Sequence, residues 1–337
     1  MARPPAPLPP QLIAAAFTTR QALRLGVTAK RLQSSAVESI GRGLHRVRGE
    51  TTGEVDIAIA LQADLPDAVV AGLSAARLHR MPLPPGLGLD SWTIETPLEM
   101  CIPMLGAPLR RQGIRARRSD VPPQHRTEVD GVVATSPERT FLDLASVLDL
   151  DALVVIGDFL VRRAPARREG ARRTMRDLGA ILQATGPRPG SVAAGEALSH
   201  VRIGAGSTEQ TLLRLALERA RLPEPALNMT IHGADGTALA ARHLRWDRYA
   251  VAAQHVPTEA EEETPHQHQQ RLRGSDALRR NGWVELMICD ADLEVRCRRA
   301  VRRIDEALRE NGWDGRRTLW PAGRIDARRG AQPAAWR

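Results

Sequence analysis

The first fifty residues have the hydrophobic pattern of short helices followed by a hairpin. Residues 11–17 are predominantly apolar and predict a short helix. Residues 18–21 (TTRQ) have the form of a capping box, which predicts a second helix that ends at Gly26. Thr28 is the expected N-cap of a third helix that runs to about Glu38. Two short helices joined by a turn with glycine are typical of a helix-turn-helix, here expected over residues 11–52.

The third predicted helix exposes polar and basic side chains. Leu32, Ala36 and Ile40 have i, i+4, i+8 spacing and should face the core. Residues 41–48 (GRGLHRVR) then predict a small basic β-wing. Side chains of these types contact phosphates and base edges from a recognition helix and its wing. The residues expected to contact DNA are Lys30, Arg31, Gln33, Ser34 and Ser35 on the helix and Arg42, His45 and Arg46 on the wing.

The order of these elements resembles the winged helix-turn-helix that opens AbiE-type antitoxins (the AbiEi family). The resemblance implies binding to double-stranded DNA, a role as an antitoxin or transcriptional regulator, and a cognate toxin protein as a further partner. The alternative is a basic three-helix unit that only packs on the next domain. The matching residues are Phe17-Thr18, Gln21-Ala22, Gly26-Val27, Leu32 and 43–47 (GLHRV).

Residues 53–200 alternate between strand and helix signals and predict a mixed α/β middle domain. Helices are expected after the capping residues Ser74 and Ser136. The segments 73–79 (LSAARLH) and 132–143 (VVATSPERTFLD) also resemble the middle domain of the antitoxin-like family. The strands are expected at 69–73, 92–96, 113–118 and 132–134.

Residues 204–312 predict a second α/β region with a central sheet flanked by helices, so the fold class expected for the chain is α/β multidomain, α+β overall. The elements expected on either side of a central hairpin are helices at 209–220, 269–281 and 293–310 and strands at 228–232 and 283–289.

The hairpin is predicted by two strand-compatible runs within residues 239–256. With its turn centred between Arg248 and Tyr249, His243 lies directly opposite Gln254, with their Cβ atoms roughly 4.5–5.5 Å apart on one face. Two carboxylates placed in this way could share a divalent metal ion. Here the two positions hold an imidazole and an amide.

The hairpin, with residues 279–286 (RRNGWVEL) after it, resembles a restriction-endonuclease-like domain akin to the very-short-patch-repair (Vsr-like) nucleases. In that family an Asp lies three residues before a strand-ending Trp, and a Glu lies eight after it, followed by Tyr-Asp-Gly. Counted from Trp246, these positions hold His243 and Gln254, and the Tyr-Asp-Gly is absent. The helix Glu of the family corresponds to Glu209.

These departures change the chemistry that the domain can perform. Mg²⁺ is a hard ion that binds oxygen ligands and usually one or two carboxylates, and two negative charges are missing here. The sequence therefore predicts a nuclease-like scaffold without catalysis, cofactor or bound metal. The alternative is an active Mg²⁺-dependent endonuclease with an altered site made of Glu209, His243, Gln254 and His255. His266 and His268 beside the acids of 259–263 are more typical of a solvated loop than of a metal site.

The net charge of +9 over 337 residues favours a polyanionic partner. Lys30 is the only lysine, so part of the arginine content reflects a compositional bias. A third interpretation makes the chain an interaction protein whose basic faces bind an acidic partner, and a homodimer is a further candidate assembly.

Cysteine spacing and hydropathy indicate the cellular compartment in which the protein is expected. Cys101, Cys289 and Cys297 have no CxxC spacing and predict buried free thiols in a reducing cytoplasm. No run approaches the ~18 apolar residues of a membrane span, so none is expected. The leader (1–10) and the tail (313–337) are rich in Pro, Ala, Gly or Arg and are expected to be disordered.

Overall fold

A computed structural model of the chain shows two compact units. Within the described residues the chain is α+β overall, and no helix there is long and apolar enough to cross a membrane. The first unit contains residues 1–148 and 188–190, and the second contains 149–187 and 191–337. The structure describes residues 7–13, 15–84, 92–93, 95–105, 109–162, 174–257 and 264–320.

The start of the first unit contains two capped helices at the predicted positions, and a β-hairpin of Val37–Gly41 and Leu44–Val47 lies where the sequence predicted the wing. We call this hairpin the wing. At α1 the capping box is present, because Thr18 Oγ1 accepts from the Gln21 N–H and Gln21 Oε1 accepts from the Thr18 N–H. Thr28 caps α2 as predicted. The strands pair antiparallel in the order β1-β3-β2. The elements are β1 (Phe17–Thr18), α1 (Thr19–Arg24), α2 (Ala29–Leu32), β2 (Val37–Gly41) and β3 (Leu44–Val47).

The prediction that the third helix extends to about Glu38 is wrong. The helix ends at Leu32, and Val37 already begins a strand. The hydroxyl of Ser34 donates to the carbonyl of Arg31 at 2.7 Å, and such local side-chain bonds compete with the continuation of a helix. The first strand of the wing therefore occupies positions that the i, i+4, i+8 spacing assigned to a helix.

The predictions for residues before α1 also need correction. The structure has a single 3₁₀ turn at Pro10–Leu12 where a helix over 11–17 was expected, and Phe17 already belongs to β1. Leu8 packs against the buried cluster that contains Leu12 and Phe17, so residues 7–10 are part of the fold rather than a disordered leader. Residues 1–6 lie outside the described residues.

The rest of the first unit is a five-stranded mixed sheet of order β6-β5-β4-β8-β7. The pairs β5–β6 and β4–β8 are parallel, and the other neighbours are antiparallel. Ser136 caps α5, with Pro137 in its first turn, as predicted. The elements are α3 (Glu54–Asp64), β4 (Val69–Val70), α4 (Gly72–Leu78), β5 (Leu98–Ile102), β6 (Ile114–Arg118), β7 (Arg126–Val129), β8 (Val132–Thr135) and α5 (Pro137–Leu144).

Two strand predictions in this sheet are corrected. The strand expected at 69–73 ends at Val70, because Gly72 (φ 58°) begins α4. The prediction that Ser74 caps this helix is also wrong, since Ala71 is the N-cap and the Ser74 hydroxyl, inside the helix, donates to Glu54. The strand expected at 92–96 is a turn in its described part, where the Thr96 N–H donates to the Thr93 carbonyl at 2.9 Å. The next strand of the sheet, β5, begins at Leu98.

The second unit begins with helices that the sequence pattern assigned to the middle domain up to residue 200. These helices pack with the C-terminal elements, because the buried Asp158 of α6 binds Arg214 of α9. The α11 backbone departs from helical geometry at Glu294–Cys297. The elements are α6 (Leu150–Val161), α7 (Met175–Ala184), α8 (Ser191–His200), α9 (Thr208–Arg219), β9 (Ala226–His232), β10 (Ala238–Trp246), β11 (Val251–His255), α10 (Pro265–Arg280), β12 (Val284–Ile288) and α11 (Asp290–Glu310).

The sheet of this unit has the order β12-β11-β10-β9, with helices on both faces. The predicted hairpin is present, and its register pairs Trp246 with Val251 and Leu244 with Ala253. Val251 and Ala253 pack in one cluster with residues of α9 and α11. Ala252 points to the opposite face and packs with Leu278 of α10.

The prediction of a disordered tail is wrong for residues 313–320. Trp313 and Trp320 are buried in the same cluster as α9 and α11. The Trp320 Nε1–H donates to the carbonyl of Leu222 at 2.7 Å, and the Thr318 N–H donates to that of Arg221 at 3.0 Å. Residues 321–337 lie outside the described residues.

The three cysteines are free thiols, as predicted. Cys101 and Cys297 are buried, and burial raises the pKa of Cys297 to about 11. Cys289 is exposed, so the expectation of burial is wrong for this residue. It lies at the N-cap of α11, at the end of the sheet.

Candidate nucleic-acid interface and nuclease-like site

The short helix α2 exposes part of the predicted DNA-contacting set. Lys30, Gln33 and Ser35 are exposed. Arg31 and Ser34 are half-buried and bind each other, with Arg31 Nη1 donating to Ser34 Oγ at 3.1 Å. The guanidinium of Arg31 therefore helps to hold the end of the helix, and the lysine is the more accessible cation.

The wing also divides its basic residues between two roles. Arg42 is exposed at the turn between β2 and β3. Arg46 of β3 is paired with Glu38 of β2, with Nε and Oε2 3.0 Å apart, and these two residues are directly opposite in the ladder. Arg48, just past β3, is exposed and donates from Nε to the Ser35 carbonyl at 2.7 Å. It is a further basic residue of this surface, and its position in the basic run 41–48 was the signal for it.

His45 connects the wing to α1. Its Nε2 lies 2.9 Å from Thr19 Oγ1, and its ring stacks on Phe17 with centroids 5.8 Å apart. Burial lowers the pKa of His45, which favours the neutral ring. The geometry gives His45 a packing role, whereas the sequence pattern placed it among the DNA-contacting residues.

In the second unit, His243 occupies the position opposite Gln254 that the sequence pattern predicted. The register is the expected one, but the imidazole Nδ1 accepts a hydrogen bond from the backbone N–H of His255 at 3.0 Å. Burial lowers the pKa of His243 to about 4, with the nearby His255 and Arg242 adding to the effect. A neutral ring whose Nδ1 is occupied by a backbone donor leaves only Nε2 for other chemistry.

The carboxylate of Glu285 lies on the strand β12 beside this region. It forms an ion pair with the guanidinium of Arg242, and both side chains are largely buried. Arg242 also donates from Nη2 to Ser275 Oγ of α10 at 3.3 Å. The negative charge of Glu285 is therefore already balanced by an arginine, which weakens it as a metal ligand.

The end of β11 brings a histidine to an aspartate. His255 Nε2 lies 2.8 Å from Asp290 Oδ1 at the start of α11, and the His255 ring is mostly buried. Gln254 Oε1 is buried, and no partner for it exists among the described residues. The sequence pattern missed Asp290, although a carboxylate directly after a predicted strand was a signal for it.

Glu209 lies in the first turn of α9 and is half-buried. Within the described ranges no hydrogen bond or ion pair joins it to His243, Gln254 or His255. Two other acids of this unit are engaged locally. Asp235 accepts from the Thr237 N–H at 3.0 Å and hydroxyl at 2.6 Å, and Asp247 lies 3.4 Å from the guanidinium of Arg245.

The two histidines that the sequence pattern placed in a solvated loop lie instead in a helix. His266 and His268 belong to the first turn of α10. The acids before them, residues 259–263, lie outside the described residues. Where the chain is described, no group of three or more His, Cys, Asp or Glu side chains has the geometry to hold a metal ion.

Comparison with known proteins adds no relative. No protein-family model, curated protein or solved structure matches this chain.

Proposed function

We propose that the chain is a DNA-binding protein of the antitoxin-like or transcriptional regulatory kind. The observation that carries the proposal is a cationic winged element at the start of the first unit. Lys30 on α2 and Arg42 at the wing turn both extend into solvent. Among the described residues neither has a hydrogen-bond or ion-pair partner within the chain, so both are available for phosphates.

Accessible cations of this kind support nucleic-acid binding for a physical reason. A cation that neutralises a DNA phosphate releases condensed counterions, which is the main source of sequence-independent affinity. A cation that is already paired gains less, because binding must first break its own ion pair. Arg46, paired with Glu38 at 3.0 Å, is the contrasting case on the same wing. Gln33 and Ser35, both exposed beside Lys30, supply the uncharged donors and acceptors that contact base edges.

The second unit serves, in this proposal, as a nuclease-like scaffold without catalysis. A central sheet with helices on both faces is the architecture that the nuclease resemblance implies. At its catalytic positions are a neutral imidazole and an amide, and Glu285 is neutralised by Arg242. Such a unit is suited to a surface for a cognate toxin or a second copy of the chain.

The proposal is tested by measuring binding of a labelled DNA duplex by fluorescence anisotropy over a range of salt concentrations. The variant Lys30→Gln/Arg42→Gln removes two accessible charges. We expect weaker binding, and we expect the slope of log K against log salt concentration to be shallower by about 2. The control Arg298→Gln/Arg299→Gln removes two exposed charges of α11 and should keep the wild-type slope. Equal affinities and slopes for wild type and Lys30→Gln/Arg42→Gln would contradict the proposal.

A further inference from the structure

A cleft of about 600 Å³ opens in the first unit between α1, the wing turn and the end of α3. Its volume is within the usual range of small-molecule sites and is larger than one phosphate group requires. The lining residues are Thr18, Thr19, Arg20, Leu23, Arg24, Gly43, Asp64, Leu65 and Arg111.

The charges of the cleft are unbalanced. Three guanidinium groups, those of Arg20, Arg24 and Arg111, face a single carboxylate, that of Asp64. The Asp64 side chain is 5% exposed, and both of its oxygens are engaged. Oδ2 accepts from the Thr18 hydroxyl at 2.5 Å, and Oδ1 accepts from Arg24. One arginine is thus compensated, and the cleft keeps two formal positive charges.

The two remaining arginines differ in exposure, but neither has a partner among the described residues. Arg111 Nη1 is buried, and the described residues offer it no hydrogen-bond acceptor. Arg20 is exposed at the mouth, in the first turn of α1. A buried N–H without an acceptor is costly, and a guanidinium presents paired N–H groups that fit two oxygens of one phosphate. The chemistry of this pair is therefore that of a tetrahedral oxyanion site.

Backbone and side-chain bonds hold the walls of the cleft in place. The Thr19 N–H donates to the Gly43 carbonyl at 3.0 Å, which ties α1 to the wing turn. Thr19 Oγ1 lies 2.9 Å from His45 Nε2 on β3. Gly43 has φ 69°, a left-handed conformation that glycine adopts without strain. Such a preorganised site loses less conformational entropy when a ligand binds.

We propose that this cleft binds a phosphate group, with Arg111 and Arg20 as its ligands. The cleft is continuous with the proposed DNA-binding surface, because its wall residue Gly43 directly follows the exposed Arg42. The expected source is a backbone phosphate of the duplex, and this part rests on the proposed function. A small phosphate compound has the same chemistry and would come from solution.

The first arm of the test is duplex binding by the full chain over a range of salt concentrations. Arg111→Gln removes one guanidinium of the cleft, and Arg110→Gln removes a neighbouring exposed one that does not line it. Both variants change the net charge equally, so the difference between their salt-dependence slopes reports the contact of Arg111 with a phosphate. We expect a slope shallower by about 1 for Arg111→Gln and the wild-type slope for Arg110→Gln. Arg20→Gln, at an exposed position, repeats the test without a risk to folding.

The second arm measures the shift of Tm that inorganic phosphate causes at constant ionic strength. A rise in Tm for wild type and Arg110→Gln, lost in Arg111→Gln and Arg20→Gln, supports a phosphate site filled from solution. If wild type binds the duplex and all variants keep its slope and its phosphate response, the cleft is not a phosphate site, although the proposed function stands. If wild type binds no duplex, the proposed function fails, and the Tm measurement alone tests the phosphate site. A phosphate-induced rise in Tm that Arg111→Gln and Arg20→Gln lose would then support the site, and the absence of any rise in wild type would overturn it.

Discussion

The guanidinium Nη2 of Arg214 lies 2.9 Å from the carboxylate Oδ2 of Asp158, and the two side chains are 1% and 2% exposed. The same carboxylate accepts from the Thr211 hydroxyl at 2.9 Å and from the Arg202 backbone N–H at 2.7 Å. Burial raises the pKa of Asp158, and the positive charge of Arg214 opposes that rise. The pair connects α6 to α9 inside the second unit.

Replacing Arg214 by Met should strongly destabilise the second unit, because the variant leaves the buried carboxylate of Asp158 without its counter-charge. We expect a loss of about 3–5 kcal/mol in the free energy of unfolding, measured by urea denaturation. The control is Arg219→Met, which breaks an exposed ion pair with Asp151 and should cost about 0–1 kcal/mol. Similar losses for the two variants would show that the buried pair has no special weight.

Trp320→Ala should destabilise the same unit, because it removes a buried ring and its hydrogen bond to Leu222. Large-to-small changes of this kind cost about 3–5 kcal/mol. Its neighbour Leu319 is 79% exposed, so Leu319→Ala should change the free energy of unfolding by no more than about 0.5 kcal/mol. Urea denaturation of both variants checks the prediction, which a wild-type midpoint for Trp320→Ala would refute.

Stability should fall on acidification between pH 6.5 and pH 4 partly because of His243. Its pKa is lowered to about 4 in the folded chain from the ordinary value of 6.5. In this window the unfolded chain binds one more proton at His243 than the folded chain does. The contribution of His243 to the free energy of unfolding is therefore fully present above pH 6.5 and is lost as the pH falls toward 4. The loss is on the order of 2 kcal/mol after allowance for partial exposure.

The measurement is the free energy of unfolding against pH for wild type and His243→Gln. The variant should lose less stability than wild type across the window, because it lacks the titrating ring. Burial also lowers the pKa of His45 and His125, which contribute in the same direction in both proteins and cancel in the difference. His232→Gln, an exposed position on β9, should follow the wild-type profile. Parallel curves for wild type and His243→Gln would contradict the prediction.

Plasmid DNA incubated with the protein and Mg²⁺ or Mn²⁺ should remain uncut. His243 offers a neutral ring engaged through Nδ1, Gln254 offers an amide, and Glu285 is paired with Arg242. The expected result is the same for wild type and Glu209→Ala. Metal-dependent cleavage that Glu209→Ala abolishes would instead establish the endonuclease alternative.

Local features of the fold were predictable because they depend on a few neighbouring residues. The capping box of Thr18 and Gln21 and the cap of Ser136 require only side chains within one turn of the backbone. The hairpin register that pairs Leu244 with Ala253 follows from the length of the turn. The length of α2 was not predictable in this way. Apolar residues four positions apart fit one long helix, and they fit equally well a short helix followed by a strand.

The side-chain arrangement at the candidate sites was not predictable from the pattern. His243 and Gln254 have the expected register, yet the imidazole reaches the backbone of His255. Arg31 and Arg46 look equivalent to Lys30 and Arg42 in sequence, but hydrogen bonds to Ser34 and Glu38 engage the first two. These differences depend on which partner lies within reach of a flexible side chain.

Short-range periodicity, helix caps and turn length specify the order of helices and strands around the C-terminal sheet, the hairpin register and the position of the basic wing. These features could therefore be predicted from the amino-acid sequence alone. Three features emerged only from the three-dimensional structure: Trp320 is buried in a core, α6 packs on α9 through Asp158 and Arg214, and Arg20 and Arg111 line the same cleft. Those contacts join residues tens of positions apart, and burial and charge compensation in three dimensions select them.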